Sequence, residues 1–172
     1  LCSHCGLDCL HCQGHPGHIE LPFPMYHSIF FETTLKTLRC VCFFCSRLCM
    51  TSEETAQLID GVHGKNRLTN IYPTAKARKR CVHCGSQRPT LMRHMSTSIR
   101  LEWPSDMQWE SSEEEEYCRR PFTQRDALSM LTNMVDDDCI TLGFDPVNSH
   151  PKNLILQAIL VPPPSVRPTI MT

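Results

Sequence analysis

Potential metal ligands are concentrated at the very start of this chain. Cys2, Cys5, Cys12 and His15 have the spacing C-x2-C-x6-C-x2-H. A tight C-x2-C turn, called a knuckle, supplies two of the four ligands that Zn²⁺ takes in a tetrahedral structural site. Gly14 and Gly17 interrupt the stretch, which therefore reads as a loop with little core of its own. We expect a bound metal ion to hold this loop in place.

The cysteines of the whole chain favour metal binding over disulfides. There are 12 Cys and 9 His among 172 residues, and CxxC pairs begin at positions 2, 9, 42 and 81. Clustered CxxC pairs suit metal knuckles better than long-range disulfides. No signal peptide opens the chain, and no run approaches the roughly 20 apolar residues of a membrane span. We therefore expect a reducing compartment, thiolate-bound zinc and no membrane partner.

A second metal site is predicted from two distant knuckles. Its ligands would be Cys42, Cys45, Cys81 and Cys84. The knuckles are separated by 35 residues, which is wide for an autonomous zinc finger. The separation is reasonable if a helical insertion lies between two knuckles that meet in space. Two CxxC pairs indicate zinc strongly, whereas their pairing with each other is a weaker inference.

The remaining cysteines and histidines leave alternatives open in the first site. Cys9 forms a CxxC of its own with Cys12 and is a rival ligand, as are three histidines. Those histidines are His4, His11 and His18. Cys9 and four other cysteines are otherwise interpreted as small buried residues or free thiols. The four others are Cys40, Cys49, Cys118 and Cys139.

Periodicity and capping signals predict several short helices and strands. Helices are expected over 28–39, with Ile29, Phe30, Leu35 and Leu38 in the core, and over 51–59, opened by a Thr51 capping box. The segment 64–80 reads as a polar, basic connector. A half-buried strand is expected at 97–103, helices from 123 and over 136–142, and a buried strand at 154–161 before a polyproline turn. Only the second half has the apolar density for a core, so metal or absent neighbours would hold the first half.

The charge pattern offers weak hints of a nucleic-acid partner. Net charge is −1, and a basic run is followed much later by an acidic run, Glu113–Glu116. The acidic run is interpreted as a solvated loop. The basic run consists of Lys76, Arg78, Lys79 and Arg80. These cations and Arg167, held on a stiff proline-rich backbone, are candidate nucleic-acid contacts.

These patterns together predict an α+β fold of short helices and a small sheet, irregular and stapled by zinc. We expect a zinc-binding region over 1–104 with two sites, an acidic mobile insertion over 105–120, and a helical segment over 121–172 that ends in a strand and a Pro-rich turn. The chain starts without Met and stops after a proline-rich stretch, so it is interpreted as a fragment of a larger subunit.

Three separated motifs resemble one family. Cys2-Ser3-His4-Cys5 followed by Cys12-Gln13-Gly14-His15-Pro16-Gly17-His18-Ile19-Glu20-Leu21 is similar to the amino-terminal clamp signature of the largest subunit of multisubunit DNA-directed RNA polymerase. The pairs at 42/45 and 81/84, with Gly85 and Gln87-Arg88-Pro89-Thr90, resemble the second clamp zinc site of that family. Leu142-Gly143-Phe144, His150-Pro151 and the run from Leu160 to Pro168 resemble its downstream segment. Gln13, where the family has proline, and the extra Cys9 depart from the pattern.

The resemblance implies a function for the larger protein. The whole enzyme is a nucleotidyltransferase that makes RNA on a DNA template with two Mg²⁺ ions. The catalytic Asp-rich loop of the family is absent from this sequence, and the consecutive Asp136, Asp137 and Asp138 are rejected as Mg²⁺ ligands. No catalytic residue is therefore expected. The segment would be the clamp, with structural zinc, that helps to hold DNA and the RNA–DNA hybrid beside the second-largest subunit.

The polymerase class stays open between two eukaryotic-type forms. Cys5-Gly6-Leu7-Asp8 and Glu20-Leu21-Pro22 are similar to the nucleolar polymerase I form, whereas the Pro162–Pro168 segment is closer to polymerase II. The implied location is the nucleus, or the nucleolus for class I. A stand-alone zinc-binding interaction module, RING-like or treble-clef, is the main alternative. A zinc hydrolase is a weaker one, because no HExxH helix is present.

Overall fold

A computed structural model describes residues 1–95, 97–109 and 111–167. Within them it contains six short α-helices and two two-stranded antiparallel sheets, so the predicted α+β class is confirmed. The elements are β1 (Gly17–Tyr26), α1 (Phe31–Cys40), α2 (Ser52–Ile59), α3 (Asn66–Ala77), β2 (Thr90–His94), β3 (Ser98–Glu102), α4 (Ser112–Arg119), α5 (Gln124–Thr132), α6 (Asp136–Thr141) and β4 (Ile155–Val161). Short 3-10 turns cover Pro151–Leu154 and Pro164–Val166.

Two helices begin at the capping boxes that the sequence predicts. The Thr51 side chain accepts from the backbone N–H of Glu54, whose carboxylate accepts from the Thr51 N–H in return. Thr123 and Asp126 form the same reciprocal pair at the start of α5. Each pair satisfies two backbone N–H groups that have no partner within the helix. The predicted starts of α2 and α5 are therefore confirmed.

Helix α3 corrects the interpretation of 64–80 as a connector. Leu68, Ile71 and Ala75 lie on one face at helical spacing and are buried. Pro73 lies inside the helix, where it costs a backbone hydrogen bond. The many polar residues and this proline concealed the apolar stripe, because the stripe holds only three residues in three turns.

Both halves of the chain build the core, whereas only the second half was expected to do so. Helices α1 and α3 pack on each other, and α1 also contacts β2 and α5. One hydrophobic cluster joins Leu38 and Ile71 to Leu131 and Leu142 of the second half. Packing therefore holds much of the first half, whether or not metal is bound. The proposed division into three regions remains a prediction.

Two predicted core positions are wrong at the start of α1. Ile29 and Phe30 precede the helix, which begins at Phe31, and they are exposed over 80% and 47% of their surface. Leu35 and Leu38 are buried as predicted. The apolar stripe is thus shorter than the pattern indicated, because the chain turns at residues 28–30 before it becomes helical.

Strands β1 and β4 form a long exposed ribbon. Gly17 pairs with Val161 and Tyr26 with Ile155, with an irregularity in register between Glu20 and Met25. Burial of β4 is confined to its first residues, and Leu160 is 72% exposed. The strand itself is confirmed, but its interpretation as buried is wrong. A continuous apolar run alone does not distinguish a covered strand from an uncovered one.

The predicted half-buried strand at 97–103 is confirmed as β3, which pairs with β2 and buries Ile99.

The acidic run Glu113–Glu116, interpreted as a loop, instead lies in helix α4. Ser111 caps this helix by accepting from the Glu114 N–H, and Cys118 is buried beneath it.

Pro168 lies outside the described residues. Among those described, we find no helix with the length and apolar character needed to cross a membrane.

Gly143 is required by a close approach between two backbones. Its φ is +89°, and a Cβ at this position would lie 2.1 Å from the carbonyl oxygen of Gly64. Gly61 also has a positive φ, +65°, but a Cβ there would meet nothing within 4 Å. We predict that Gly61→Ala lowers the free energy of unfolding by about 1 kcal/mol. Gly143→Ala should cost about 1 to 3 kcal/mol more, because it adds overpacking to the backbone strain.

Urea denaturation of both glycine variants tests this prediction, with the metal content of each sample matched to that of the unsubstituted chain. Equal losses of stability in the two variants would show that the close approach of Gly64 and Gly143 does not occur in solution.

Asp126 links the start of α5 to an arginine. Burial raises the pKa of this carboxyl, but hydrogen bonds from Arg120 and Thr123 outweigh burial and hold the pKa below its usual value of 3.8. A carboxyl with a lowered pKa stabilises the folded state above its unfolded pKa, and that contribution is lost as the pH falls through the folded pKa. Asp126→Asn should therefore cost about 1 to 2 kcal/mol at pH 7.

The difference in unfolding free energy between Asp126→Asn and the unsubstituted chain should shrink below about pH 4, where the carboxyl of the unsubstituted chain begins to protonate. Asp137→Asn, an exposed change on α6, is the matched control. A difference that is constant from pH 7 to the lowest pH reached would contradict the role given to the Asp126 charge.

Candidate metal centres

Three CxxC turns share one backbone arrangement. In each turn the residue after the second cysteine donates its N–H to the carbonyl of the first cysteine: Gly6 to Cys2 at 2.8 Å, Ser46 to Cys42 at 3.1 Å, and Gly85 to Cys81 at 3.0 Å. These three donors have φ of +72°, +54° and +72°. The left-handed conformation explains glycine at two of the positions. Each turn thus directs two thiols to the same side.

The first group is assembled within a single loop. One ligand atom from each of Cys2, Cys5, Cys12 and His15 lies within 4.8 Å of the others. The Sγ atoms of Cys5 and Cys12 are 3.7 Å apart, and the Cys12 Sγ lies 3.5 Å from His15 Nε2. The structure therefore brings together the four residues that the spacing indicated.

The rival ligands lie outside the first group. Cys9 is exposed, and the His11 ring pairs with Asp8, with 2.6 Å between Nδ1 and Oδ1. The His4 ring lies against the His15 ring, with 4.6 Å between centroids. His18 is part of β1. None of the four is among the clustered ligand atoms of the described residues.

The second group joins the two distant knuckles. Ligand atoms of Cys42, Cys45, Cys81 and Cys84 also lie within 4.8 Å of one another. Both of the short Sγ–Sγ distances run between knuckles: 3.6 Å from Cys42 to Cys84, and 3.6 Å from Cys45 to Cys81. The intervening 35 residues contain α2 and α3, which is the helical insertion that the spacing required.

These distances fit a metal tetrahedron. An ion about 2.3 Å from each of four sulfurs holds the sulfurs about 3.8 Å apart, whereas a disulfide brings two sulfurs to about 2.05 Å. The observed separations are close to the first value, and all twelve cysteines are free thiols. The three thiols and one imidazole of the first group, and the four thiols of the second, suit zinc.

Electrostatics within the second group also call for a cation. Burial raises the pKa of Cys81 to about 12, and the neighbouring Cys49 thiol and burial raise the pKa of Cys42. The pKa of Cys84 is lowered to about 7, because hydrogen bonds from Ser86 outweigh burial. The Cys42 and Cys81 thiols therefore resist ionisation unless a bound cation compensates their negative charge.

A buried arginine holds the two knuckles of the second group together. Arg88 is 8% exposed, and its guanidinium donates to carbonyls near the ends of both α1 and α3. The acceptors are Arg39 O at 2.6 Å, Val41 O at 3.3 Å, Ala75 O at 2.7 Å and Arg78 O at 3.2 Å. One pair of carbonyls precedes Cys42 and the other precedes Cys81. Arg88 thus fixes where each knuckle begins.

An ion pair attaches the second group to the opposite half of the chain. Asp138 of α6 is 8% exposed and accepts from Arg47 Nε and from the Leu48 N–H, each at 2.9 Å. His83 Nε2 lies 2.9 Å from the Leu48 carbonyl. These contacts surround the strand-like bridge that Leu48 makes with Val41. The carboxylate of Asp138 is therefore already used by the Arg47 side chain and the Leu48 backbone.

Aromatic rings pack against the knuckle between Cys42 and Cys45. Phe43 lies edge to face with Trp103, with 5.5 Å between centroids, and Phe44 lies 6.0 Å from the same ring. Trp103 also contacts Trp109 at 5.0 Å. Sequence reasoning did not identify this cluster, although two adjacent phenylalanines inside a knuckle were a signal of local packing. Nor did it give a structural role to Arg88 or Asp138, whose hydrogen-bond partners are distant in sequence.

The candidate nucleic-acid residues are only partly brought together. One recess is lined by Lys76, in the last turn of α3, and by Arg78, Lys79 and Arg80, which follow that helix. Arg78 is paired with Glu54. Arg167 lies in the C-terminal turn, where its Nε donates to the Pro162 carbonyl at 2.8 Å. No structural observation ties Arg167 to the basic run.

The fold brings together two groups of four potential ligands, which is the arrangement of proteins that bind structural metal ions in closed sites. Comparison with known proteins then supplies the family. The family described as "RNA polymerase Rpb1, domain 1" matches residues 1–172. The chain belongs to this family, and its resemblance to the largest polymerase subunit is confirmed.

Curated relatives come from three kinds of source. The chain is 32% identical over 181 residues to the DNA-directed RNA polymerase II subunit RPB1 of Euplotoides octocarinatus, covering 98% of this chain and 37% of that protein. It is 32% identical to DNA-directed RNA polymerase subunit 1 of Acanthamoeba polyphaga mimivirus, with 98% and 12% covered. It is 30% identical to subunit Rpo1N of Methanocaldococcus jannaschii, with 99% and 12% covered. The chain thus spans between about a tenth and two fifths of these relatives.

Arg88→Met should weaken metal binding at the second group by at least tenfold, since four carbonyls lose a charged donor and the two knuckles lose their common anchor. The first group has no contact with Arg88 and should be unaffected. Titration with a chelator of known affinity measures both groups, and the Cys12→Ser variant identifies which transition belongs to the second.

Arg100→Met, on the exposed side of β3, serves as the control for loss of an arginine. If Arg88→Met and Arg100→Met release metal from the second group at the same chelator concentration, Arg88 does not position the knuckles.

Proposed function

We propose that this chain is the amino-terminal clamp region of the largest subunit of a DNA-directed RNA polymerase, and that it serves template-dependent RNA synthesis by the assembled enzyme. The observation that carries the proposal is the assembly of two closed four-ligand groups in a chain that matches the polymerase family along its whole length. The reaction is nucleotidyl transfer, and the catalytic Mg²⁺ ions belong to other parts of the enzyme.

Each group holds one structural zinc ion. Cys2, Cys5, Cys12 and His15 are the ligands of the first, and Cys42, Cys45, Cys81 and Cys84 are those of the second. Four protein ligands complete a tetrahedron and leave no position for an activated water, so the ions fix loops and do no chemistry. The first ion holds a loop whose side chains are mostly exposed, and the second ties the end of α1 to the end of α3.

The segment would act as a rigid arm of the clamp. Its partners are the other polymerase subunits, the second-largest in particular, together with the DNA template and the RNA–DNA hybrid. Grip on such ligands rests mainly on phosphate charge and is independent of base sequence. The basic run from Lys76 to Arg80 is the strongest candidate for this contact, because its side chains lie around one recess.

We further propose a nuclear location. Its support is the likeness to the DNA-directed RNA polymerase II subunit RPB1 of Euplotoides octocarinatus. The sequence also resembles the class I enzyme, which would be located in the nucleolus. The sequence downstream of this chain would distinguish class I from class II.

Elemental analysis of the purified chain should return two zinc ions per chain. In Cys42→Ser, one zinc should be lost, and limited proteolysis should cut near both residue 42 and residue 81, since one ion ties both knuckles. Cys139→Ser, which removes a buried thiol outside either group, is the control and should keep both ions. A content of zero or one, or cleavage near residue 42 alone, would overturn the scheme.

A further inference from the structure

The recess beside the basic run is a defined groove. It has a volume of about 600 Å³ and lies between the end of α3, the segment 87–91 and the end of β3. The residues that line it include Lys76, Lys79, Arg80 and Trp103. The volume is in the range of ordinary ligand sites. Cations and an indole therefore line one concave surface.

The cations of the groove differ in how far their charged groups are already engaged in hydrogen bonds, ion pairs or ring contacts. Arg88 is used by backbone carbonyls and Arg78 by Glu54. Lys76 lies over the Tyr72 ring, with 5.6 Å from Nζ to the centroid. Lys79 is exposed, and within the described parts of the chain its ammonium group has no ion pair or hydrogen bond. Arg80 makes one long hydrogen bond, 3.3 Å, to the Gly85 carbonyl.

The balance of charge in the groove remains positive. Arg39 is also engaged, because it donates to the Leu91 carbonyl and to the Tyr72 hydroxyl. With the three engaged arginines set aside, the cations that line the groove are Lys76, Lys79 and Arg80, and the carboxylates are Glu102 and Asp106. The free positive groups lie on consecutive or near-consecutive residues at the end of α3. A phosphate backbone that follows this edge would meet several cations in succession.

Trp103, which also lines the groove, is held in a fixed orientation. Its indole Nε1 donates to the Cys118 carbonyl at 2.8 Å, so its hydrogen-bonding group is already used. Phe43 and Trp109 approach it in edge-to-face contacts. The ring is only partly buried. A fixed aromatic surface next to a row of cations is the arrangement on which unpaired bases stack while their phosphates are neutralised.

We propose that this groove binds single-stranded nucleic acid, with phosphates on Lys79 and Arg80 and a base against Trp103. The proposal deepens the proposed function, because it gives the clamp a contact with an unpaired strand in addition to its grip on duplex. A concave site with an aromatic wall selects a single strand, since the bases of a duplex are stacked on each other and do not reach the indole.

Fluorescence anisotropy with the zinc-loaded chain tests the site. The probes are oligonucleotides of about 12 residues: oligo-uridylate RNA, oligo-thymidylate DNA and a duplex of equal length. We expect both single strands to bind more tightly than the duplex, and the two single-strand arms to show whether RNA or DNA is preferred. A duplex that binds as tightly as either single strand would overturn the proposal.

Charge reversal locates the contact. Lys79→Glu should weaken single-strand binding by at least tenfold, whereas Lys152→Glu, an exposed lysine at a distant 3-10 turn, should change it by less than twofold. Lys79→Ala should reduce the slope of log affinity against log salt by about 0.7, the value for one phosphate contact on a single strand. Equal effects of Lys79→Glu and Lys152→Glu would overturn the assignment to this groove.

The indole gives an independent readout. The chain has two tryptophans, so in Trp109→Phe all tryptophan emission comes from Trp103. Single-strand binding should quench that emission, and binding without any change in it would contradict the proposed site. If the chain contains two zinc ions but binds no single strand, the single-strand site in the groove is wrong and the proposed clamp function stands. Failure of the proposed clamp function would instead appear as missing zinc.

Discussion

The structure depends on one buried positive charge. Arg88 lies in the interior, and the carbonyls that receive its guanidinium belong to the carboxyl-terminal ends of two packed helices, where backbone dipoles are negative. A buried charge is costly unless it is fully hydrogen-bonded. Here the requirement for four acceptors fixes the ends of α1 and α3 relative to each other. The knuckles that follow those ends then face one another, and their four thiols come together as one candidate metal site.

The two metal groups therefore contribute differently. The first lies in a loop of mostly exposed residues, and the hydrogen bonds described for those residues run within the loop itself. The second is enclosed by the core, by the Arg47–Asp138 pair and by the aromatic cluster around Trp103. Loss of metal should disorder the first locally. Loss at the second should disturb α1, α3 and α6 together, because all three contact its knuckles.

The candidate metal ligands could be predicted from sequence, because CxxC spacing indicates ligand geometry directly, and two helix starts could be predicted from their capping boxes. The long-range packing could not be predicted from sequence. The apolar stripe of α3 is short and carries Pro73, so the segment resembled a connector, and the run in β4 gave no indication that Leu160 faces outward. Arg88 and Asp138 act through partners more than ten and about ninety residues away, a separation that no local pattern records.

X-ray absorption at the zinc edge of the purified chain tests the central claim most directly. We predict first shells that together contain seven sulfurs and one nitrogen for the two ions, with Zn–S near 2.3 Å and Zn–N near 2.0 Å. Arg88→Met should lower the sulfur count while the nitrogen contribution persists. A shell dominated by oxygen, or a sample in which the thiols of the two knuckles are bridged as disulfides, would contradict it.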